Sequence, residues 1–181
     1  MCRGRCVRGA CRVATSWPGT ENAIRLAGPD SLAGKVVIDT TNPLDFSGGA
    51  PKLAVGHTDS AGEQVQRWLP AARVVKAFNI IGNPHMFKPD FPGGPPDMFI
   101  CGNDTAAKAT VTEMLAAFGW PPAIDIGAIE GSRYLEPMAM VWVAVFSQTR
   151  NGGHAFRLLR KQRGPHLVAA LAHAPAGADA H

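Results

Sequence analysis

The chain has 181 residues, of which 46% are hydrophobic and 18% charged, and its formal net charge is +4. This length favours one domain with a sizeable core. The basic residues gather at the two ends instead of forming a stripe interleaved with aromatic side chains, which argues against a nucleic-acid-binding protein. No apolar run approaches the ~20 residues that a membrane span needs, so we expect no membrane segment.

Predicted elements follow each other regularly after an irregular start. Residues 1–20 show no hydrophobic period of 2 or 3.6 residues. We therefore expect a disordered arm of non-homologous sequence joined to the domain that follows. Apolar runs predict strands at residues 35–40, 73–78, 98–101 and 123–126. Helical patterns occupy residues 60–69, 104–118, 130–146 and 154–161. Residues 162–181 are expected to form a disordered tail.

This alternation of strands and helices predicts an α/β fold. Connections of crossover length favour a parallel, doubly wound sheet with flanking helices and a C-terminal helical segment, all within one domain at residues 21–161. Ser60 and Glu63 match a capping box, and Asp104 is a favourable N-cap. Arg133 and Glu136 are expected to form an ordinary surface pair.

The cysteines indicate a reducing environment. Cys2, Cys6 and Cys11 cluster near the amino end, whereas Cys101 stands alone. The opening residues lack the apolar stretch of a secretory signal peptide. The C-x3-C-x4-C spacing is not that of a structural zinc site, which normally takes four ligands. We therefore expect exposed, reduced thiols in a cytoplasmic protein.

Polar residues follow two of the predicted strands. Thr41, Asn42 and Pro43 come after the first, and Asn79 after the second. Ligands of α/β proteins bind beyond the carboxyl ends of parallel strands, where hydroxyl and carboxamide groups can hold a ribose, a phosphate or another carboxamide. The residues alone leave an alternative open: Asn42-Pro43 is a plain turn, and Phe78 is simply a core residue.

Several blocks, in order along the chain, carry a resemblance to a known family. They are Val36-Val37-Ile38-Asp39, Asn42-Pro43-Leu44-Asp45, Arg73-Val74-Val75-Lys76-Ala77-Phe78-Asn79, Ile100-Cys101-Gly102-Asn103-Asp104, Asp125-Ile126-Gly127 and Gly131-Ser132-Arg133-Tyr134-Leu135-Glu136. Together they resemble the NADPH-dependent oxidoreductases related to the reductases of the deazaflavin coenzyme F-420. A similar order occurs in the cytoplasmic reductase domain of membrane metalloreductases.

The resemblance implies a Rossmann-type domain that binds NADP(H) across the strand ends. It also implies a small-molecule substrate and hydride transfer to a planar acceptor such as deazaflavin F-420 or a flavin. No catalytic side chain is expected, because the cofactor carries the chemistry. The residues implied near the nicotinamide and its ribose are Thr41, Asn42, Pro43, Ala77, Phe78, Asn79 and Ile80.

One part of the family pattern has no counterpart here, the G-x-G-x-x-G turn that grips the pyrophosphate. Gly4, Gly9 and Gly19 do not have its spacing. We therefore expect an incomplete Rossmann-like sheet with open strand edges, and weak or no dinucleotide binding. Two alternatives to an impaired reductase stay open: a non-catalytic homodimer formed through the apolar helix at 130–146, and a non-functional, truncated gene product that does not fold alone.

Overall fold

The computed structural model describes residues 10–161. The predictions made for residues 1–9 and 162–181 lie outside the described residues. The strands are β1 Ala10–Val13, β2 Val36–Asp39, β3 Leu44–Asp45, β4 Lys52–Leu53, β5 Arg73–Lys76, β6 Phe99–Gly102 and β7 Ile124–Asp125. The helices are α1 Trp17–Ala27, α2 Ala61–Trp68, α3 Thr105–Ala117 and α4 Ser132–Thr149. None of these helices is long and apolar enough to span a membrane.

A five-stranded sheet in the order β1-β2-β5-β6-β7 forms the centre of the fold. The pairs β1–β2, β2–β5 and β6–β7 are parallel, which confirms the α/β class. The β5–β6 pair is antiparallel, so the sheet is parallel in three of its four strand pairs. The reason is the connection at residues 77–98, which contains no helix longer than one turn and brings the chain back in the opposite direction.

The start of the fold lies earlier than predicted. The expectation of a disordered arm is wrong for residues 10–20, because β1 pairs in register with β2, from Ala10 opposite Val36 to Val13 opposite Asp39. The exposed Arg12 interrupts the apolar run of this strand, and pairing with β2 decides its conformation. Cys11 is a half-buried residue of this strand and is disulfide-bonded, so it is not the exposed thiol that was expected.

Helices α2 and α3 begin where their capping residues predict. The Ser60 hydroxyl accepts a hydrogen bond from the Glu63 amide (3.2 Å) and donates one to the Glu63 carboxylate (2.6 Å). Asp104 accepts from the Ala107 amide at 2.7 Å. Both predicted caps are therefore confirmed.

Both faces of the sheet are covered. Val37 and Val74 pack on the side of α1 and α2, whereas Ile38 and Val75 pack on the side of α3. All residues of β2 are buried, as expected for a strand inside an α/β sheet. This placement leaves the carboxyl ends of β1, β2 and β5 as the natural opening of the fold.

The segment after α4 is not helical, so the helix predicted at residues 154–161 is wrong. Its backbone groups bond to the loop before β6 instead. The Phe156 carbonyl accepts from the Asp97 amide (2.9 Å), and the Leu158 amide donates to the Asp97 carboxylate (2.7 Å). The Trp142 indole donates to the His154 carbonyl at 3.0 Å and fixes the segment against α4.

Candidate functional site

The carboxyl ends of β2 and β5 lie side by side, with Asp39 opposite Lys76. The residues that follow them meet directly. The Asn42 side-chain amide donates to the Asn79 carbonyl at 2.8 Å, and the Asn79 side-chain amide donates to the Asn42 side-chain oxygen at 2.9 Å. The structure therefore joins two site residues that were predicted from separate strand ends.

A cleft of about 820 Å³ opens beside this pair, between the end of β1, the start of α1 and the turn after β2. The Thr40 amide and hydroxyl both donate to the Val13 carbonyl (3.1 and 3.0 Å), which holds the two strand ends together. The lining residues are Thr15, Ser16, Trp17, Pro18, Thr40, Thr41, Asn42, Leu44, Asp45, Phe46, Ser47 and Ala54. The cleft lies where ligands of α/β sheets normally bind.

The other predicted site residues lie behind this surface. Pro43, Ala77, Phe78 and Ile80 are all buried. Phe78 has a left-handed backbone (φ 63°) and packs edge-on against Trp120, so it turns the chain away from β5 while its ring stays in the core. Direct contact of these four residues with a ligand stays a prediction.

A buried ion cluster supports the site from below. The ammonium group of Lys76 is fully buried and donates to the carboxylates of Asp39 (2.9 Å) and Glu136 (2.8 Å) and to the carbonyl of Thr41 (2.7 Å). Glu136 in turn accepts hydrogen bonds from the backbone amides at the start of α2, those of Ala61 and Gly62. The cluster therefore joins β2, β5, α2 and α4.

The expected surface pair of Arg133 and Glu136 is wrong. Glu136 belongs to the buried side of α4, together with Ser132, Leu135 and Ala139. Arg133 points to another element and donates to the Glu63 carboxylate at 2.8 Å. Helical spacing of three or four residues puts Glu136 on the apolar stripe, and this spacing was the signal available in the sequence.

Burial and charge act in opposite directions on the pKa values of this cluster. Burial alone would lower the pKa of Lys76, but Asp39 and Glu136 outweigh it and raise that pKa. Burial raises the pKa of Glu136, and the hydrogen bonds from Lys76 and α2 offset only part of the effect. The geometry favours the ionised pair, because three donors converge on the Glu136 carboxylate.

The Cys101 thiol is not activated as a nucleophile. Cys101 is free and buried. Burial raises the pKa of its thiol to about 11, so it is protonated at neutral pH. Within residues 10–161, no group of three or more histidine, cysteine or acidic side chains is placed to hold a metal ion. The described arrangement offers binding and orientation through hydroxyl, carboxamide and backbone groups.

Sequence reasoning missed two parts of this site. The first is the α1 side of the cleft, Thr15 to Pro18, although Ser16 followed by Trp17-Pro18 is a typical helix start. The second is Lys76, whose signal was a charged residue directly between Val75 and Ala77 in an apolar strand.

Comparisons with known proteins agree with this geometry. No protein-family model matches the chain. A solved structure from Arthrobacter sp. FB24, described as an F420-dependent NADP reductase, has a TM-score of 0.80 and 38% identity, and the match covers 84% of this chain and 69% of that one.

Two curated relatives are longer than the region they share with this chain. Metalloreductase STEAP3 of Rattus norvegicus is 35% identical over 115 residues, which is 61% of this chain and 21% of that protein. The F420-dependent NADP reductase of Methanocaldococcus jannaschii is 29% identical over 131 residues, or 71% of this chain and 58% of that protein. On the similarity of fold, sequence and coverage, the chain belongs to the family of the F420-dependent NADP reductases.

Proposed function

We propose that this chain is an NADP-dependent oxidoreductase domain whose cleft receives the nicotinamide end of NADP(H). Hydride would pass between NADPH and a small-molecule acceptor, a deazaflavin such as F-420, a flavin or a similar compound, in the cytoplasm. The names of two relatives support the cofactor and the acceptor class. The observation that carries the proposal is the mutually bonded Asn42–Asn79 pair beside the cleft at adjacent strand ends.

The residues at this end of the cleft fit the nicotinamide half of the cofactor. The side-chain oxygen of Asn79 is buried and has no hydrogen-bond partner in the described structure, so it can accept from an N–H group. Thr40 borders the cleft, and its hydroxyl oxygen, which donates to Val13, can still accept a hydrogen bond from a ribose hydroxyl. A buried acceptor of this kind is costly until a ligand or a water molecule satisfies it.

The chain's own residues would bind and orient the ring and keep water away from it. When bound, NADP(H) supplies the hydride chemistry. Asn42 lines the open cleft and is hydrogen-bonded to the buried Asn79. Pro43, Ala77, Phe78 and Ile80 are buried in the turns that follow β2 and β5, and in this proposal they would keep water from that side of the ring.

The proposed site is expected to bind the pyrophosphate of the cofactor only weakly. The 181 residues contain no G-x-G-x-x-G turn of the kind that places backbone amides around a pyrophosphate. We therefore propose that this chain by itself holds the dinucleotide weakly and that its reductase activity is impaired.

A titration with NADPH followed by ¹⁵N–¹H NMR tests the location of the site. The expected result is a progressive shift of the backbone signals of Thr40, Thr41 and Asn42 and of the Asn79 side-chain amide. The variant Asn42→Ala should weaken these shifts, while Glu113→Gln, at an exposed position of α3 that does not line the cleft, should leave them nearly unchanged. Shifts confined to residues away from the cleft would contradict the proposed function.

A second candidate function, a dimerising module without catalysis, rests on the exposed face of α4. Tyr134, Val141 and Val145 are exposed along one side of this helix at spacings of seven and four residues. The residues from Pro137 to Gln148 carry no charge, so two copies of this face would meet without repulsion.

The mass of the protein in solution tests this second candidate. Light scattering should give twice the 19.1 kDa of the chain for the wild type and a single chain for Val141→Glu. Ala109→Glu puts the same charge on an exposed position of α3 and should leave the dimer intact. A monomeric wild-type protein would eliminate the dimer.

A further inference from the structure

Lys76 is placed where a lysine is rarely found, fully buried in the middle of the fold. A buried charge is tolerated only when it is paired and hydrogen-bonded. All three donor positions of its ammonium group are used, by Asp39, Glu136 and the Thr41 carbonyl. Two of these partners are charged, but the third is a backbone group of the turn that borders the cleft.

The excess negative charge of the cluster is stabilised by backbone amides at the start of α2. Two carboxylates surround one ammonium, and the carboxylate of Glu136 also accepts from the amides of Ala61 and Gly62 at 3.0 Å each. These amides form the positive end of α2. Glu136 is therefore stabilised both by Lys76 and by the start of α2.

The turn after β2 is held from both of its edges. Asp39 accepts from the Thr41 amide (2.9 Å) and hydroxyl (2.7 Å) through one carboxylate oxygen, and its other oxygen accepts from Lys76. Lys76 also holds the Thr41 carbonyl. The peptide group between Thr41 and Asn42 consequently has one orientation, which sets the direction of the Asn42 side chain.

Helix α4 completes the arrangement with two neighbouring residues. Glu136 binds Lys76, and the carbonyl of Leu135 accepts from the Asn79 side-chain amide at 3.0 Å. One turn of α4 thus fixes both members of the Asn42–Asn79 pair, the first through Lys76 and the second directly.

We propose that Lys76 is a positioning residue, which through the Thr41 carbonyl holds the Asn42 carboxamide against Asn79 in the orientation that the cleft requires. What the cleft binds rests on the proposed function; the positioning itself does not. Lys76 does not touch the ligand in this account.

The test compares variants by NMR, with exchange of the side-chain amide protons of Asn42 and Asn79 as the readout. Lys76→Met leaves two buried carboxylates without their cation and is expected to be unstable. In the double variant Asp39→Asn/Lys76→Met, the amide oxygen at position 39 still accepts from Thr41, and Glu136 keeps the α2 amides. This variant removes the link to the Thr41 carbonyl with the least other damage.

In the double variant, exchange at Asn42 and Asn79 should rise roughly tenfold or more, as expected for a lost buried hydrogen bond. Lys108→Met is the matched control, because Lys108 is a mostly buried lysine paired with Asp125 (2.7 Å) far from the cleft. It should leave both exchange rates unchanged. Unchanged exchange in a folded double variant would overturn the proposal.

A measurement on the wild-type protein keeps the proposal testable even if both Lys76 variants fail to fold. The ammonium protons of Lys76 should exchange slowly and give cross-peaks to Thr41, and their absence would overturn the proposal. If these signals are present but NADPH shifts no residue of the cleft, the proposed function fails while the positioning role stands. If NADPH shifts the residues of the cleft but the Lys76 ammonium signals are absent, the proposed function stands and the positioning role of Lys76 fails.

Discussion

Single residues decide how closely the elements approach at the core of this protein. Gly62, in the first turn of α2, faces Ser132 at the start of α4. A Cβ atom at position 62 would lie 2.1 Å from the Ser132 hydroxyl oxygen and 2.8 Å from its Cβ. The same turn donates two amides to Glu136, so the close approach also serves the buried ion cluster.

Gly62→Ala should therefore destabilise the protein although alanine favours helices. Overpacking a tight contact costs about 1–3 kcal/mol, which exceeds the gain of at most about 1 kcal/mol in helix propensity. Gly48→Ala is the control, since nothing lies within 4 Å of a Cβ at that position, and it should change stability by about 0.5 kcal/mol or less. Urea unfolding measures both; equal stability of the two variants would refute the packing claim.

The Glu63 carboxylate makes stability depend on pH. Hydrogen bonds from Arg133 outweigh partial burial and lower the pKa of Glu63 from its ordinary value of 4.5. A lowered pKa means that its contribution is complete above pH 4.5 and is lost as the pH falls through the folded-state pKa. Glu63→Gln should thus reduce the slope of stability against pH in this acid range, measured as Tm. Parallel curves for the two proteins would show that the pair contributes nothing.

At the scale of single residues, the sequence predicted Asn42 and Asn79 as site residues but did not predict the ion cluster that lies beneath them. Asn42 and Asn79 follow apolar strands, and this position alone brought them to the same edge. The charged partners of Lys76 are Asp39, which lies 37 positions earlier in the chain, and Glu136, which lies on the distant helix α4. Such contacts depend on how α4 docks on the sheet, which no local pattern contains.

At the scale of elements, the long and strongly patterned segments were the predictable ones. α2 and α3 have capping side chains, α4 has an apolar stripe, and β2 and β5 have adjacent apolar β-branched residues, so their existence was predicted correctly. The apolar run of β1 is interrupted by the exposed Arg12, and its conformation is determined by pairing with β2. The segment after α4 has a helical composition, but its backbone bonds to residues near Asp97 instead.

The serines at the N-cap positions of α1 and α2 give a matched test of element stability. The side chain of Ser60 caps α2, whereas Ser16 at the start of α1 makes no capping hydrogen bond with its side chain. Ser60→Ala should cost about 1–2 kcal/mol, because it leaves the buried Glu63 amide without its acceptor. Ser16→Ala should cost about 0.5 kcal/mol or less. Thermal unfolding compares them, and a loss of similar size in both would contradict the assigned role of Ser60.

At the scale of the whole molecule, one apolar cluster covers each face of the sheet, but one edge of the sheet is open. The core covers both faces of the sheet, which supports cooperative folding and can be checked by a sharp thermal transition in circular dichroism. Among the described residues, β1 pairs with β2 alone and leaves its other edge unpaired. The chain spans 58% and 21% of the two curated relatives, so the relatives contain further structure beyond the shared region.

In the proposed function, the chain has the residues that bind the nicotinamide half of the cofactor but lacks the glycine-rich turn that would bind the pyrophosphate tightly. If this is right, the adenosine and phosphate half of NADPH adds little affinity. NADPH and its nicotinamide half, reduced nicotinamide mononucleotide, should then bind with dissociation constants within about tenfold of each other, near 1 mM or weaker.

Calorimetric or fluorescence titration of the wild-type chain with both compounds, and of Asn42→Ala as the site control, is the most direct test. The account predicts similar weak binding of the two compounds and a further loss in the variant. Micromolar binding of NADPH, together with much weaker binding of the mononucleotide and no effect of Asn42→Ala, would contradict it.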